Sequence, residues 1–191
     1  MVSLNNLSQL FFNKHGDDIL LSSPLQKDSV VDGPGIRCVV WTQGCIHNCY
    51  GCHNPQTHSC NGGFLYPIDV LCSEIGEIHQ NITLSGGDPF LQPEQCFKIA
   101  SYAKLQGLNV WAYTGFKFED LMNNDLTRLL LTQIDVLVDG KFEMENKSLE
   151  CRFRGSTNQR LIDVQKSLFA GTVVEWVDPM NNIRRNFEEL F

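Results

Sequence analysis

Cys45, Cys49 and Cys52 lie in the stretch Gly44-Cys-Ile-His-Asn-Cys-Tyr-Gly-Cys-His-Asn54, spaced C-x3-C-x2-C. Thiolate is the preferred ligand of iron–sulfur clusters and of zinc. Three thiols on so short a segment can wrap one metal centre. An ordinary electron-transfer cluster takes four cysteines, and structural zinc takes a closed shell of four. No fourth cysteine stands at matching spacing, so one metal corner is left open for a further ligand. Two other readings keep the shell closed: His47, His53 or His58 completes a Cys3His zinc site, or Cys60 serves as a fourth cluster ligand. Cys38, Cys72, Cys96 and Cys151 read as small buried side chains, since a free cysteine behaves as a small hydrophobe.

Two further stretches carry residues of the right kind. In Ser85-Gly86-Gly87-Asp88-Pro89 the glycines lack Cβ, so the backbone can approach a ligand closely and adopt φ > 0. Carbonyl oxygens there can accept hydrogen bonds from an ammonium group, and Asp88 adds a negative charge. In Asp139-Gly140-Lys141 the Asp suits sugar hydroxyls and the Lys suits a carboxylate. Standing alone, either stretch is equally an ordinary turn. Nothing in the chain resembles a hydrolytic acid–base constellation.

The elements that must position these residues alternate. Ile36–Thr42 is a β-rich run that leads straight into the cysteine loop. Ile68–His79 carries apolar residues at helical spacing. Asn81–Leu84 is a short strand ending at the Gly-Gly-Asp turn. Pro93–Gln106 reads as a helix with Gly107 as its C-terminal cap. Asn109–Tyr113 is a strand, Phe118–Leu131 a helical stretch, and Ile134–Val138 an apolar strand ending at Asp139. The segment that follows is polar and arginine-rich through Arg160, and Thr172–Val177 reads as a late strand. Strands alternating with helices predict βαβ crossovers and a mainly parallel sheet, an α/β fold. Such sheets bind ligands at the carboxyl ends of their strands. The cysteine loop and the two turns follow successive strand ends and are therefore expected on one face.

The length of 191 residues suits a single domain, with residues 1–28 as an extension, 29–178 as the main domain and 179–191 as a tail. No apolar run approaches the roughly 18 residues that span a bilayer, and no signal peptide is apparent. A net charge of −7 argues against a nucleic-acid partner, which calls for a basic surface. Eight cysteines without a secretion signal point to a reducing, cytoplasmic setting and to metal or redox use rather than to four disulfides.

With Val31-Asp32-Gly33-Pro34-Gly35-Ile36-Arg37 ahead of the cysteine loop, Thr42-Gln43-Gly44 leading into it and Cys52-His-Asn-Pro55 closing it, the chain resembles the radical S-adenosylmethionine (SAM) enzymes. Within them it is similar to the glycyl-radical-enzyme activating proteins. The resemblance runs from about Val31 to Arg160. Arg152-Phe-Arg154-Gly-Ser-Thr-Asn-Gln159 is similar to the Arg-Gly-Ser-Ser-Asn-Gln stretch of the activating proteins of anaerobic (class III) ribonucleoside-triphosphate reductases.

The resemblance implies a partial (β/α) barrel and one 4Fe-4S cluster on Cys45, Cys49 and Cys52, with SAM chelating the open iron. It implies SAM contacts from Gly51, Cys52, His53, Gly86, Gly87, Asp88, Asp139 and Lys141, and substrate contacts from Asp32 and Arg154. The family often has Gly-Gly-Glu-Pro where this chain has an acid one methylene shorter. It often has an aromatic residue just before the third cysteine, where this chain has Gly51. The implied activity is reductive cleavage of SAM and formation of a glycyl radical on a large partner, with the electron coming from a flavodoxin- or ferredoxin-like donor. The partner is the anaerobic reductase or another glycyl radical enzyme of the formate-lyase kind. A non-catalytic zinc-binding module is the reading that requires none of this.

Overall fold

Val, Ile, Leu and Trp dominate four short runs, and these form the parallel centre of one sheet in the computed structural model, which describes residues 16–178. The runs are β3 (Arg37–Thr42), β5 (Asn81–Gly86), β6 (Val110–Tyr113) and β7 (Val136–Asp139). They pair in that order, with Arg37 opposite Asn81, Ile82 opposite Val110 and Trp111 opposite Val136. Four antiparallel strands flank them: β1 (Asp18–Leu21), β2 (Gln26–Ser29), β4 (Phe64–Pro67) and β8 (Arg160–Asp163). The strand order is β4-β1-β3-β5-β6-β7-β8, with β2 also on β3. The two outer strands are not joined to each other, so the sheet stays open, as a partial (β/α) barrel does.

Alternation along the strands assigns the two faces. Cys38, Val40, Ile82, Leu84, Val110, Ala112, Leu137 and Ile162 point to the main core. The helices cover that face. Helix α1 (Ile68–Ile78) buries Ile68, Leu71, Cys72 and Ile75, the spacing of a single apolar stripe, and ends at His79 in the left-handed conformation. Helix α2 (Pro93–Leu105) begins with Pro at its first turn and buries Cys96, Ile99, Ala100 and Ala103; the chain leaves it through Gly107 at φ +75°. On the opposite face Trp111, Val136 and Val138 pack with Tyr113, Phe153, Leu161 and Trp176.

The structure departs from the sequence reading in four places. Asp18–Leu21 and Gln26–Ser29 belong to the sheet, so the structured unit starts before residue 29; the remainder of the expected extension, residues 1–15, and the tail at 179–191 lie outside the described residues. The helix expected over 118–131 is two helices, α3 (Phe118–Leu121) and α4 (Asp125–Leu131). Asn124 divides them, its side chain accepting the Leu126 and Thr127 N–H groups at 3.0 and 3.2 Å as an N-cap. The last sheet strand is Arg160–Asp163, followed by α5 (Val164–Ala170). The late strand expected over 172–177 reduces to a single bridge from Glu175 to Ile162.

Candidate metal centre and cofactor cavity

The cysteine loop leaves the end of β3 and is pinned at both sides. Gly44 N–H donates to the Thr57 carbonyl at 2.8 Å and Cys45 N–H to the His58 carbonyl at 3.1 Å. The Gln43 side chain donates to the Ser59 carbonyl at 2.6 Å. Inside the loop Cys52 N–H bonds the Cys49 carbonyl at 3.2 Å, and Gly51 takes φ +73°. A Cβ on Gly51 would stand 2.9 Å from Met144 Sδ, so a side chain there would have to push the methionine aside.

All three cysteines are free, half-buried and face one cavity of about 590 Å³, within the usual range for cofactor sites. It opens on the sheet face away from the helices, at the carboxyl ends of β3, β5, β6 and β7. Ser85, Gly86 and Gly87 line it from β5, Tyr113, Thr114 and Gly115 from β6, and Gly140 and Phe142 from the loop after β7. Burial, with Asp88 and the other two thiols adding to it, pushes the Cys45 thiol up to about 12. Burial also raises Cys49, against the opposing pull of the Phe142 N–H and the Lys141 charge. Metal loading must therefore displace these protons. Among the described residues no three His, Cys, Asp or Glu side chains converge as a single metal ion requires. A 4Fe-4S cluster takes each thiolate on a different iron, so three separated thiols facing one cavity fit it better than a mononuclear zinc site. His47, named above as a zinc ligand, instead directs Nε2 to Asp88 at 2.7 Å.

The residues expected around SAM divide into two groups. Cys52, His53, Gly86 and Gly87 line the cavity, as do Asp32 and Arg154. Gly51, Asp88, Asp139 and Lys141 do not. The Asp88 carboxylate is fully buried and already accepts from Phe90 N–H, Thr114 Oγ1, Gly115 N–H and His47. Asp139 is likewise buried; it accepts from Phe118 N–H at 2.8 Å and pairs with Arg160, which also holds Glu119. Through these contacts Asp139 joins β7, β8 and α3. Lys141 is exposed, and its charge opposes the upward push of burial on the Cys49 thiol.

The glycines at the β5 end have a second reason to be glycine. A Cβ on Gly86 would lie 2.4 Å from the Thr42 carbonyl oxygen, and one on Gly87 would lie 2.2 Å from that of Gly44. The β5 turn and the start of the cysteine loop are thus in backbone contact, tied by Gly87 N–H to Thr42 and Asp88 N–H to Gly44, both at 2.8 Å.

Three features of the site were missed in the sequence. Thr114 and Gly115 end β6, and the rule that ligands sit at strand ends was the signal that would have found them. Phe142 lines the cavity with its ring 5.0 Å from that of His53, and Gly155 packs against both. Gln159 holds the arginine-rich loop together: its Oε1 accepts from Gly155 N–H at 2.9 Å and its Nε2 donates to the Gly140 carbonyl at 3.0 Å. Arg154 donates to the Gln159 carbonyl at 2.7 Å.

A family model described as a 4Fe-4S single cluster domain matches residues 31–162. A protein of Enterobacteria phage T4 named anaerobic ribonucleoside-triphosphate reductase-activating protein is 36% identical over 140 residues, covering 69% of this chain and 86% of that one. The chain belongs to this activating-protein family. A member from Escherichia coli K12 is 36% identical over 141 residues, 68% of this chain and 90% of its own. A crystal structure of QueE from Escherichia coli aligns with a TM-score of 0.41 and 15% identity over 56% of this chain and 55% of that one. The matched segment begins at Val31 and ends in β8, so family membership covers the cysteine loop, the β5 turn and every strand of the parallel centre.

Proposed function

We propose that this chain is a radical SAM activase that forms a glycyl radical on an anaerobic ribonucleoside-triphosphate reductase. The observation that carries this reading is the position of Cys45, Cys49 and Cys52 on one wall of a cavity large enough for SAM, with the bare backbone of Gly86 and Gly87 on the adjoining wall. The names of the relatives supply the partner. A bound 4Fe-4S cluster and SAM would supply a one-electron reductive cleavage of the sulfur–C5′ bond that releases methionine, and the adenosyl carbon would then take one hydrogen atom from a glycine Cα, leaving as 5′-deoxyadenosine with the unpaired electron on the glycine.

The residues of the chain bind and orient. Cys45, Cys49 and Cys52 would hold the cluster, and a ligand from outside the chain, the amino acid end of SAM, would complete its coordination. Carbonyl oxygens at the end of β5 accept from its ammonium group. Arg154, on the far wall, suits a carboxylate because a guanidinium presents paired donors. Asp32, on the same cavity, faces the incoming glycine segment, and its carboxylate is fixed by Ser29 Oγ. The electron comes from a small redox protein of the flavodoxin or ferredoxin kind.

The test is anaerobic reconstitution with iron and sulfide, followed by incubation with SAM, a reductant and the reductase. A glycyl radical on the reductase, read by electron paramagnetic resonance (EPR), and one cluster per chain are expected. A radical on a formate-lyase relative but not on the reductase would overturn the partner. A colourless zinc protein that cleaves no SAM would overturn the activity. Cys49→Ser is expected to lose both cluster and SAM cleavage.

A further inference from the structure

Asp88, expected above to contact SAM, forms with His47 a buried pair to which the proposed function assigns no work. His47 lies between Cys45 and Cys49, in the middle of the cluster loop, yet its side chain is only 6% exposed and that of Asp88 only 1%. The imidazole is boxed in on three sides. Its Nε2 meets Asp88 Oδ2 at 2.7 Å, and its ring packs edge-on against Phe116 at 4.5 Å. Gly115 lies against its flank so closely that a Cβ there would come within 2.4 Å of Cδ2. The same carboxylate accepts from Thr114 Oγ1 and from Gly115 N–H at 3.0 Å, and it caps the 3-10 turn at 89–91 through Phe90 N–H. One buried anion therefore joins the cysteine loop, the β5 turn and the β6 end, three segments far apart in sequence.

We propose that the His47–Asp88 pair is the latch that sets the position of the cluster loop, with Asp88 as a positioning residue rather than a SAM ligand. The inference rests on the cluster reading above but not on the fate of SAM. Satisfaction of the carboxylate by four donor groups leaves it no capacity to take an ammonium without surrendering one of them. Aspartate rather than glutamate fits this role, because the side chain is enclosed on all sides and must reach His47, Thr114 and Gly115 at once. Partners that orient the ligands of a metal centre are worth about 10- to 100-fold in metal retention.

The test uses the reconstituted holoprotein without SAM. His47→Leu keeps an apolar side chain against Phe116 but removes the donor; His47→Gln keeps a donor. His47→Leu and Asp88→Asn are expected to release iron to a chelator about 10- to 100-fold faster and to alter the EPR spectrum of the reduced cluster. His47→Gln should restore most of the resistance. The double variant His47→Leu/Asp88→Asn should be no worse than either single one, as coupled partners behave. Wild-type chelator resistance and an unchanged spectrum in both single variants, with only SAM affinity weakened, would overturn the latch. If Asp88→Asn fails to fold by circular dichroism, the two His47 variants decide the question alone. SAM cleavage by the wild type is read separately, so its failure would bear on the proposed activity and not on the latch.

Discussion

Gly87→Ala is the substitution that most directly tests whether the β5 turn holds the cysteine loop. The added methyl would lie 2.2 Å from the Gly44 carbonyl oxygen and 2.7 Å from its carbon. Both are backbone atoms, so no side chain can swing away, and the strand-to-loop junction before Cys45 must move by roughly an ångström to regain contact distance. Overpacking of this kind costs about 1–3 kcal/mol, which for a chain of this size lowers the melting temperature by about 2–12 °C. The comparison is Gly107→Ala. Gly107 sits at φ +75° with nothing within 4 Å of a Cβ, so only the left-handed strain of about 1–2 kcal/mol applies. Both variants should therefore melt early. Only Gly87→Ala should also disturb the cluster, seen as a changed EPR spectrum of the reduced protein and a lower iron content. The reasoning is refuted if Gly87→Ala keeps the wild-type melting temperature and spectrum, or if Gly107→Ala changes the spectrum equally.

Two further outcomes follow from buried and paired charges. Arg37 is fully buried beneath Trp111 and donates to Thr83 Oγ1, Asn109 Oδ1 and the Ile82 carbonyl; desolvation lowers it to about 10, still charged at neutral pH. Arg37→Met strands these acceptors at a cost of about 3 kcal/mol or more, a fall of about 6–12 °C in melting temperature by calorimetry; an unchanged melt would show that the acceptors find other donors. Glu119 is held down to about 2 by the Arg160 hydrogen bond. A depressed carboxylate contributes stability above its unfolded value near 4.5 and loses it as pH falls through the folded value. Glu119→Gln should therefore narrow its stability gap to the wild type between about pH 4.5 and pH 2, by a modest amount because the pair is largely exposed; a gap constant over that window in acid titration would refute the pairing.

The parallel centre of the sheet was legible because its strands are short apolar runs ended by glycine turns, and those ends located the cysteine loop and the Gly-Gly-Asp turn on one face. The flanking strands were not legible. Gln26–Ser29 reads QKDS and exposes all but Ser29, and Phe64–Pro67 lies largely exposed at an edge, so neither carries the alternation that marks a half-buried strand. The break at Asn124 was written in the sequence as an N-cap but was outweighed by the apolar spacing around it. Asp88 and Asp139 look like ligand carboxylates because local groups satisfy them little, Phe90 N–H being the one near partner of Asp88. Their decisive partners, Thr114, Gly115 and His47 for one and Arg160 for the other, are brought by tertiary structure from distant positions.

The shared carboxylate also imposes an order in time. Cys45, Cys49 and Cys52 leave the ribosome well before Asp88, and Thr114 and Gly115 come about sixty residues after the last of them. At about 5–20 residues per second the interval is several seconds, far longer than collapse of a short chain takes. Throughout it the three thiols and their local anchors at Thr57, His58 and Ser59 are made, but Thr114 and Gly115, which hold Asp88, are not. The full set of contacts that fixes the cysteine loop is thus complete only once β6, the third parallel strand, has been made, so the three thiols precede by seconds the last groups that hold Asp88 against their loop.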